Sequence, residues 1–188
     1  MSFKIIIPPT AEPVTLQEAK EHLRVVEPDE DALIGRLIAA ARGMLEQRIN
    51  RKMMTQTIEF AAAHCAGGFM VPAAPFVSIG SVSYTDADGA PQTLPAEAIY
   101  VDSFSEPAAV VPAYNTAWPT RQAGSPLIVR AVVGYADAAS VPAELKAWML
   151  LAITALYDNR SAVVAGVSVT ELPEDFMHGL WQSYMVYL

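Results

Sequence analysis

Cysteine and long apolar runs are scarce in this chain. Its 188 residues include one cysteine, Cys65, so no disulfide can form within the chain. The one long apolar region, AWMLLAITALY at residues 147–157, has 11 residues, whereas a membrane-crossing helix needs about 20. The opening MSFKIIIPPT has too short an apolar run for a signal peptide. These absences favour a protein made in the cytoplasm, with no membrane partner.

Positive charge is scarce after residue 52. The formal net charge is −8, and residues 53–188 hold twelve acidic but only four basic side chains. Because affinity for nucleic acid depends on clustered Lys and Arg, this part is not expected to bind a phosphate backbone. Residues 1–52 hold eight acids and eight bases. Their basic cluster is most simply a solvated helix face; it consists of Arg36, Arg42, Arg48, Arg51 and Lys52.

Local signatures of catalysis and metal binding are lacking too. No glycine-rich phosphate loop, G-x-S-x-G or H-E-x-x-H motif occurs. His64 and Cys65 are adjacent, but no further histidine follows at a zinc-ligand spacing. In YTDADGAPQTL, Gly89 at position six of a calcium loop would put Tyr84 and Pro95 at ligand positions, so this stretch predicts a hairpin turn. We expect no catalytic residue, no cofactor and no metal site.

Helical periodicity is present at both ends of the chain. Thr15 and Glu18 have the spacing of a capping box, and Pro28 disfavours a helix at the residue before it. Asn50 is suited to the left-handed conformation that ends a helix. Apolar spacing predicts four helices, near residues 15–26, 30–50, 142–160 and 173–185.

The middle of the chain is β-rich. Short β-branched and aromatic runs alternate there with Pro and Gly, which break helices. The sequence therefore predicts an α+β fold, a small helical bundle with an inserted β-rich domain at about residues 53–135. The leading helices occupy 15–52, and the C-terminal helices and tail occupy 141–188, within one domain spanning 1–188.

A succession of motifs resembles a known family. In order, these are VTLQEAKEHLRV, LIGRLIAAARGMLEQRINRKMMTQT, PFVSIGSVSYTDADG, VVGYAD and VPAELKAWMLLAITALYDNR. The succession is similar to the head–tail connector (adaptor) family of long-tailed bacteriophages and of phage-like particles such as gene transfer agents. Asn50 stands where the family often has Gly, and residues 160–188 match least well.

That resemblance implies a structural protein. Family members form a ring, commonly of twelve copies, under the portal protein in the neck of the virion or phage-like particle. The ring joins the head to a stopper or tail-completion protein, and DNA passes through it without sequence-specific binding. Synthesis would take place in the bacterial cytoplasm. Candidate contacts with the portal or a neighbour are Trp181, Tyr184, Tyr187 and Leu188; the candidate inter-subunit helix face is Lys20, Arg24, Arg36 and Arg42.

Two other functions stay open on the sequence alone. A different neck or tail-completion (stopper-like) component would share the β-rich core but should lack the two leading helices. A small hydrolase would use His64 or a carboxylate pair assembled by the fold. Two arrangements of the aromatic tail also stay open: it either folds back on its own core or docks on a partner.

Overall fold

The computed structural model describes residues 3–63, 67–159 and 174–187. It combines helices with antiparallel strands, which confirms the predicted α+β class. The helices are α1 (Leu16–Leu23), α2 (Asp31–Ile49), α3 (Ala143–Asp158) and α4 (Glu174–Gly179). The strands are β1 (Phe3–Ile7), β2 (Gln56–Ala62), β3 (Phe69–Met70), β4 (Phe76–Thr85), β5 (Pro91–Thr93), β6 (Ile99–Asp102), β7 (Ala109–Pro112) and β8 (Leu127–Val133). None of the helices described is long and apolar enough to cross a membrane.

The chain forms two compact units. The helical unit comprises Ala11–Met54 and Tyr135–Met185, and the β unit comprises Met1–Thr10, Thr55–Gly134 and Val186–Leu188. In the helical unit, α2 and α3 pack their apolar rows against each other. The fully buried members of these rows are Ile34, Leu45, Ile49, Leu145, Met149 and Ile153.

Helix α1 is shorter than predicted. It ends at Leu23, because Arg24 takes a left-handed conformation with φ of 57°. The Arg24 N–H then donates to the Glu21 carbonyl at 3.2 Å, and the Val25 N–H donates to the Lys20 carbonyl at 3.0 Å. These bonds satisfy the last carbonyls of the helix before Pro28 is reached. A 3₁₀ turn, Pro28–Glu30, leads directly into α2.

Of two other helix boundaries, the end of α2 is confirmed and the last helix differs from the expectation. Asn50 ends α2 in the left-handed conformation that its side chain favours, with φ of 53°. The last helix, expected over 173–185, is divided into α4 and a 3₁₀ turn at Gln182–Tyr184. Propensity therefore located these helices but did not fix their lengths.

The β unit contains two antiparallel sheets. Five strands follow the order β1-β2-β8-β4-β5, and three follow the order β3-β7-β6. Strand β8 is central and pairs Ala131 with both Ile58 and Ile79. Alternating side chains of β2 and β8 are buried, so one face of the larger sheet covers an apolar core. The core includes Ile58, Phe60, Val71, Val82, Val110, Leu127 and Val129.

The chain begins with a strand, not with a helix. In β1, Phe3 pairs with Phe60 and Ile5 with Ile58. The predicted element order, which started with a helix, was wrong at this point. An edge strand of five residues followed by two prolines gives little local signal, and its pairing with β2 is long-range.

Candidate functional site

The leading helix is fixed by a capping box. The Thr15 hydroxyl oxygen accepts a hydrogen bond from the Glu18 N–H at 3.1 Å, and the Thr15 N–H donates to a Glu18 carboxylate oxygen at 2.7 Å. The bond from the Thr15 backbone, followed by the bond from its hydroxyl, lowers the pKa of Glu18. The sequence predicted this arrangement, and it holds the α1 N-terminus in one conformation.

Two residues of the predicted inter-subunit face are engaged within their own chain. Lys20 Nζ lies 2.5 Å from an Asp31 carboxylate oxygen and 3.0 Å from the Glu27 carbonyl. Arg42 binds Glu12 through two nitrogens, at 2.6 and 3.1 Å. The Lys20–Asp31 contact ties α1 to the start of α2, and the Arg42–Glu12 contact ties the segment before α1 to α2. They assign both side chains a role inside the helical unit.

The other two residues of that face are exposed. Arg24 lies at the left-handed end of α1, and Arg36 lies on the solvent side of α2. In the described parts of the chain, neither guanidinium forms a side-chain hydrogen bond or an ion pair. Both are therefore accessible to a partner.

A buried ion cluster lies at the end of α2. Glu46 is 4% exposed; its carboxylate accepts from Lys52 Nζ at 2.9 Å and from the Met53 N–H at 3.0 Å. Arg42 lies 3.6 Å from the same carboxylate. Because Arg42, Lys52 and Met53 belong to the helical unit, these bonds orient the turn that leaves α2.

The aromatic tail is divided between core and surface. Trp181 is 6% exposed, and the Arg48 guanidinium carbon lies 5.4 Å from its ring centroid. Tyr184 donates from its hydroxyl to Glu144 at 3.0 Å, and its carbonyl accepts from Arg51 Nε at 3.0 Å. Tyr187 is 78% exposed. Among the described aromatic residues of the tail, Tyr187 is the most exposed. Leu188 lies outside the described residues.

The Asp-Gly stretch forms the predicted turn. The Asp86 carboxylate accepts from the N–H groups of Asp88 at 3.0 Å and Ala90 at 2.9 Å, and Gly89 has φ of +87°. The Gln92 side-chain bond, followed by the Ala90 backbone bond, lowers the pKa of Asp86. These bonds use the carboxylate within the turn itself.

No group of three or more potential metal-ligating side chains occurs within residues 3–63, 67–159 and 174–187. His64 and Cys65 lie outside these ranges. The candidate site consists of those predicted contact residues that are exposed, namely Arg24, Arg36 and Tyr187.

Comparison with known families gives a match to the first half of the chain. Residues 13–94 match the family described as "Phage gp6-like head-tail connector protein". The resemblance to head–tail connectors is confirmed. The match begins at the capping box of α1, continues through α2 and ends next to β5.

Solved structures extend the likeness to the whole chain. A chain from the neck of an empty gene transfer agent particle, computed with C6 symmetry, matches with a TM-score of 0.80 at 17% identity. A chain from the native gene transfer agent virion gives 0.79, and one from the native neck with C12 symmetry gives 0.75, both at 17% identity. All three matches cover 100% of this chain and 97% of the other. At this identity the likeness establishes the fold. No curated protein matches the chain.

Proposed function

We propose that this protein is a structural head–tail connector (adaptor) of a phage or phage-like particle. It forms a ring under the portal, joins the DNA-filled head to the neck and tail, and lets DNA pass. Two observations together support the proposal. Residues 13–94 match a head–tail connector family, and the full fold matches chains from gene transfer agent necks.

The leading helices favour an adaptor over a stopper-like component. A stopper-like component was expected to lack them, whereas α1 and α2 are both present and joined to one core. The enzyme alternative has less support. The family and the structures that match are components of particles, and the carboxylates of the Asp86 turn and of Glu46 are engaged in structural bonds.

The charge distribution suits a channel for DNA. With a formal net charge of −8, the chain has an excess of acidic side chains that would repel a phosphate backbone. A lumen lined by such side chains would let DNA slide without being held. Binding of DNA by base contacts plays no part in this function.

Partner contact at the tail is assigned to Tyr187. Trp181 and Tyr184 hold the tail to its own helical unit, so truncation of the whole tail would damage the core. Replacing Tyr187 with Asp tests docking on the portal without that damage. Tyr114→Asp is a matched control, since Tyr114 is 98% exposed in the β unit. Reduced portal binding for Tyr187→Asp alone supports the contact, and equal binding by both variants contradicts it.

The function is tested by deleting the gene in a particle-producing host and examining the lysate by electron microscopy. We expect heads, filled or leaking, to accumulate beside complete free tails. Expression of the wild-type chain from a plasmid should restore joined particles. Normal particles without the gene would contradict the connector function.

A further inference from the structure

The solvent face of α2 carries positive charge and no negative charge. Because an α-helix turns about 100° per residue, Arg36 and Gly43 lie opposite the buried row of Ile34, Ala41 and Leu45. The exposed residues of α2 are Ala32, Gly35, Arg36, Ala40, Gly43, Met44, Gln47 and Arg48. Two of these are arginines and none is an acid.

The same face is open to close approach. A Cβ added at Gly35 or Gly43 would meet no atom within 4 Å. Met44 is 49% exposed, and with Gln47 and Arg48 it lines a surface depression of about 290 Å³. Glycine destabilises a helix interior relative to alanine, and outside the neighbouring helix backbone nothing in the described chain lies within 4 Å of a Cβ at either position. The missing side chains leave room for another chain.

The leading segment, residues 15–29, has the opposite charge. Its exposed residues include four acids, Glu18, Glu21, Glu27 and Asp29, and one arginine, Arg24. Glu21 accepts a hydrogen bond only from the neutral Gln17 among the described side chains, at 2.8 Å. Lys20, the other base of the segment, is already paired with Asp31. The leading segment thus presents a net negative surface.

We propose that the solvent face of α2 in one copy binds the leading segment of the next copy. Arg36 would lie against the acids of the neighbour, and the glycines would let the two backbones approach. The two surfaces differ and are on one chain, so the contact is head-to-tail, which is the kind of contact that forms a ring when the rotation between copies closes. This contact rests on the proposed connector function, because it names the partner surface within the ring. In this contact, the short helix α1 presents acidic side chains to the neighbouring copy.

Charge reversal tests the contact. Variant X carries Arg36→Glu and Gln47→Glu on the α2 face, and variant Y carries Glu21→Lys and Glu27→Lys on the leading segment. Variant XY carries all four changes. Glu97→Lys, an exposed reversal in the β unit, is the control. Each variant replaces wild type in the deletion host, and particles with joined heads and tails are counted.

We expect X and Y each to lower joined particles by about tenfold or more, since like charges facing each other at every contact cost several kcal/mol. XY restores opposite charges at every contact, so its count should return close to that of wild type. Glu97→Lys should match wild type. Thermal unfolding midpoints of the purified X, Y and XY chains show whether each still folds.

Normal particle counts for X or Y alone would overturn the contact while leaving the connector function intact. Failure of a folded XY chain to recover would also overturn it. Normal particles from the deletion host would instead contradict the connector function. In that event native mass spectrometry of the purified chains decides: an oligomer lost in X and Y and regained in XY supports the contact, and a monomeric wild type overturns it.

Discussion

The two units bury different kinds of side chain. The helical unit buries Glu46, Arg51 and Lys52, whereas no charged side chain described in the β unit is buried. An ion pair in the β unit, Glu59 with Arg130 at 2.8 Å, lies at the surface. The helical unit thus fixes the turn after α2 by directed, charged bonds, and the β unit relies on apolar packing. Directed bonds specify one geometry at that turn, which the proposed ring would need at each contact.

Glu46→Ala should cause the largest loss of stability, because it removes a charged bond that is buried in the helical unit. It removes the carboxylate that lies 2.9 Å from the buried Lys52 Nζ, and removal of one partner of a buried ion pair costs about 3–5 kcal/mol. The free energy of unfolding from urea titration measures the loss. Glu59→Ala is the matched control, and an exposed pair is worth about 0–1 kcal/mol. Equal losses in the two variants would contradict the distinction between the units.

Ile58→Ala should destabilise the β unit, because that unit depends on apolar packing. Ile58 is fully buried, and such truncations cost about 2–5 kcal/mol through lost burial and a cavity. Ile6→Ala is the control, because Ile6 on the edge strand is 42% exposed. Urea unfolding should give the control a clearly smaller loss. A loss of the same size at Ile6 would mean that β1 is covered in solution.

Glycine substitutions should change stability in opposite directions in the two units. Gly89 has φ of +87°, so Gly89→Ala should destabilise the β unit by about 1 kcal/mol or more. Gly43→Ala should stabilise α2 by about 0.5–1 kcal/mol. Thermal unfolding of the purified chains measures both. Destabilisation by Gly43→Ala would show that the α2 face is covered within a single chain.

Loss of the capping box should have an effect similar in size to the glycine substitutions, and that effect should depend on pH. The pKa of Glu18 is lowered from 4.5, so its contribution is complete above that value and is lost as the pH falls through the lowered pKa. Thr15→Ala should cost about 1 kcal/mol at neutral pH. Glu18→Gln should flatten the decline in stability between neutral and acidic pH. An unchanged acid profile in that variant would remove the carboxylate from the cap.

Local chemistry made part of the fold predictable. Thr15 with Glu18, Asn50 and Gly89 each behave as their residue types and spacings indicate, because caps and turns depend on neighbours along the chain. The α+β class followed from periodicity in the same way.

Long-range pairing made the rest unpredictable. The pairing of β1 with β2 joins segments separated by two helices, and the Arg42–Glu12 pair spans 30 residues. Trp181 is buried because the tail folds against α2 and α3. The sequence of the tail allowed either this packing or docking on a partner. The partners of the predicted contact residues Lys20, Arg42 and Tyr184 within the chain could likewise be named only from the structure.

The most direct test of the connector function is a cryo-electron microscopy reconstruction of the neck of purified particles made with this protein. The account predicts a closed ring of copies of this chain between the portal and the tail, with the solvent face of α2 against the leading segment of the neighbour. A neck built without this chain, in particles that join heads to tails normally, would contradict it.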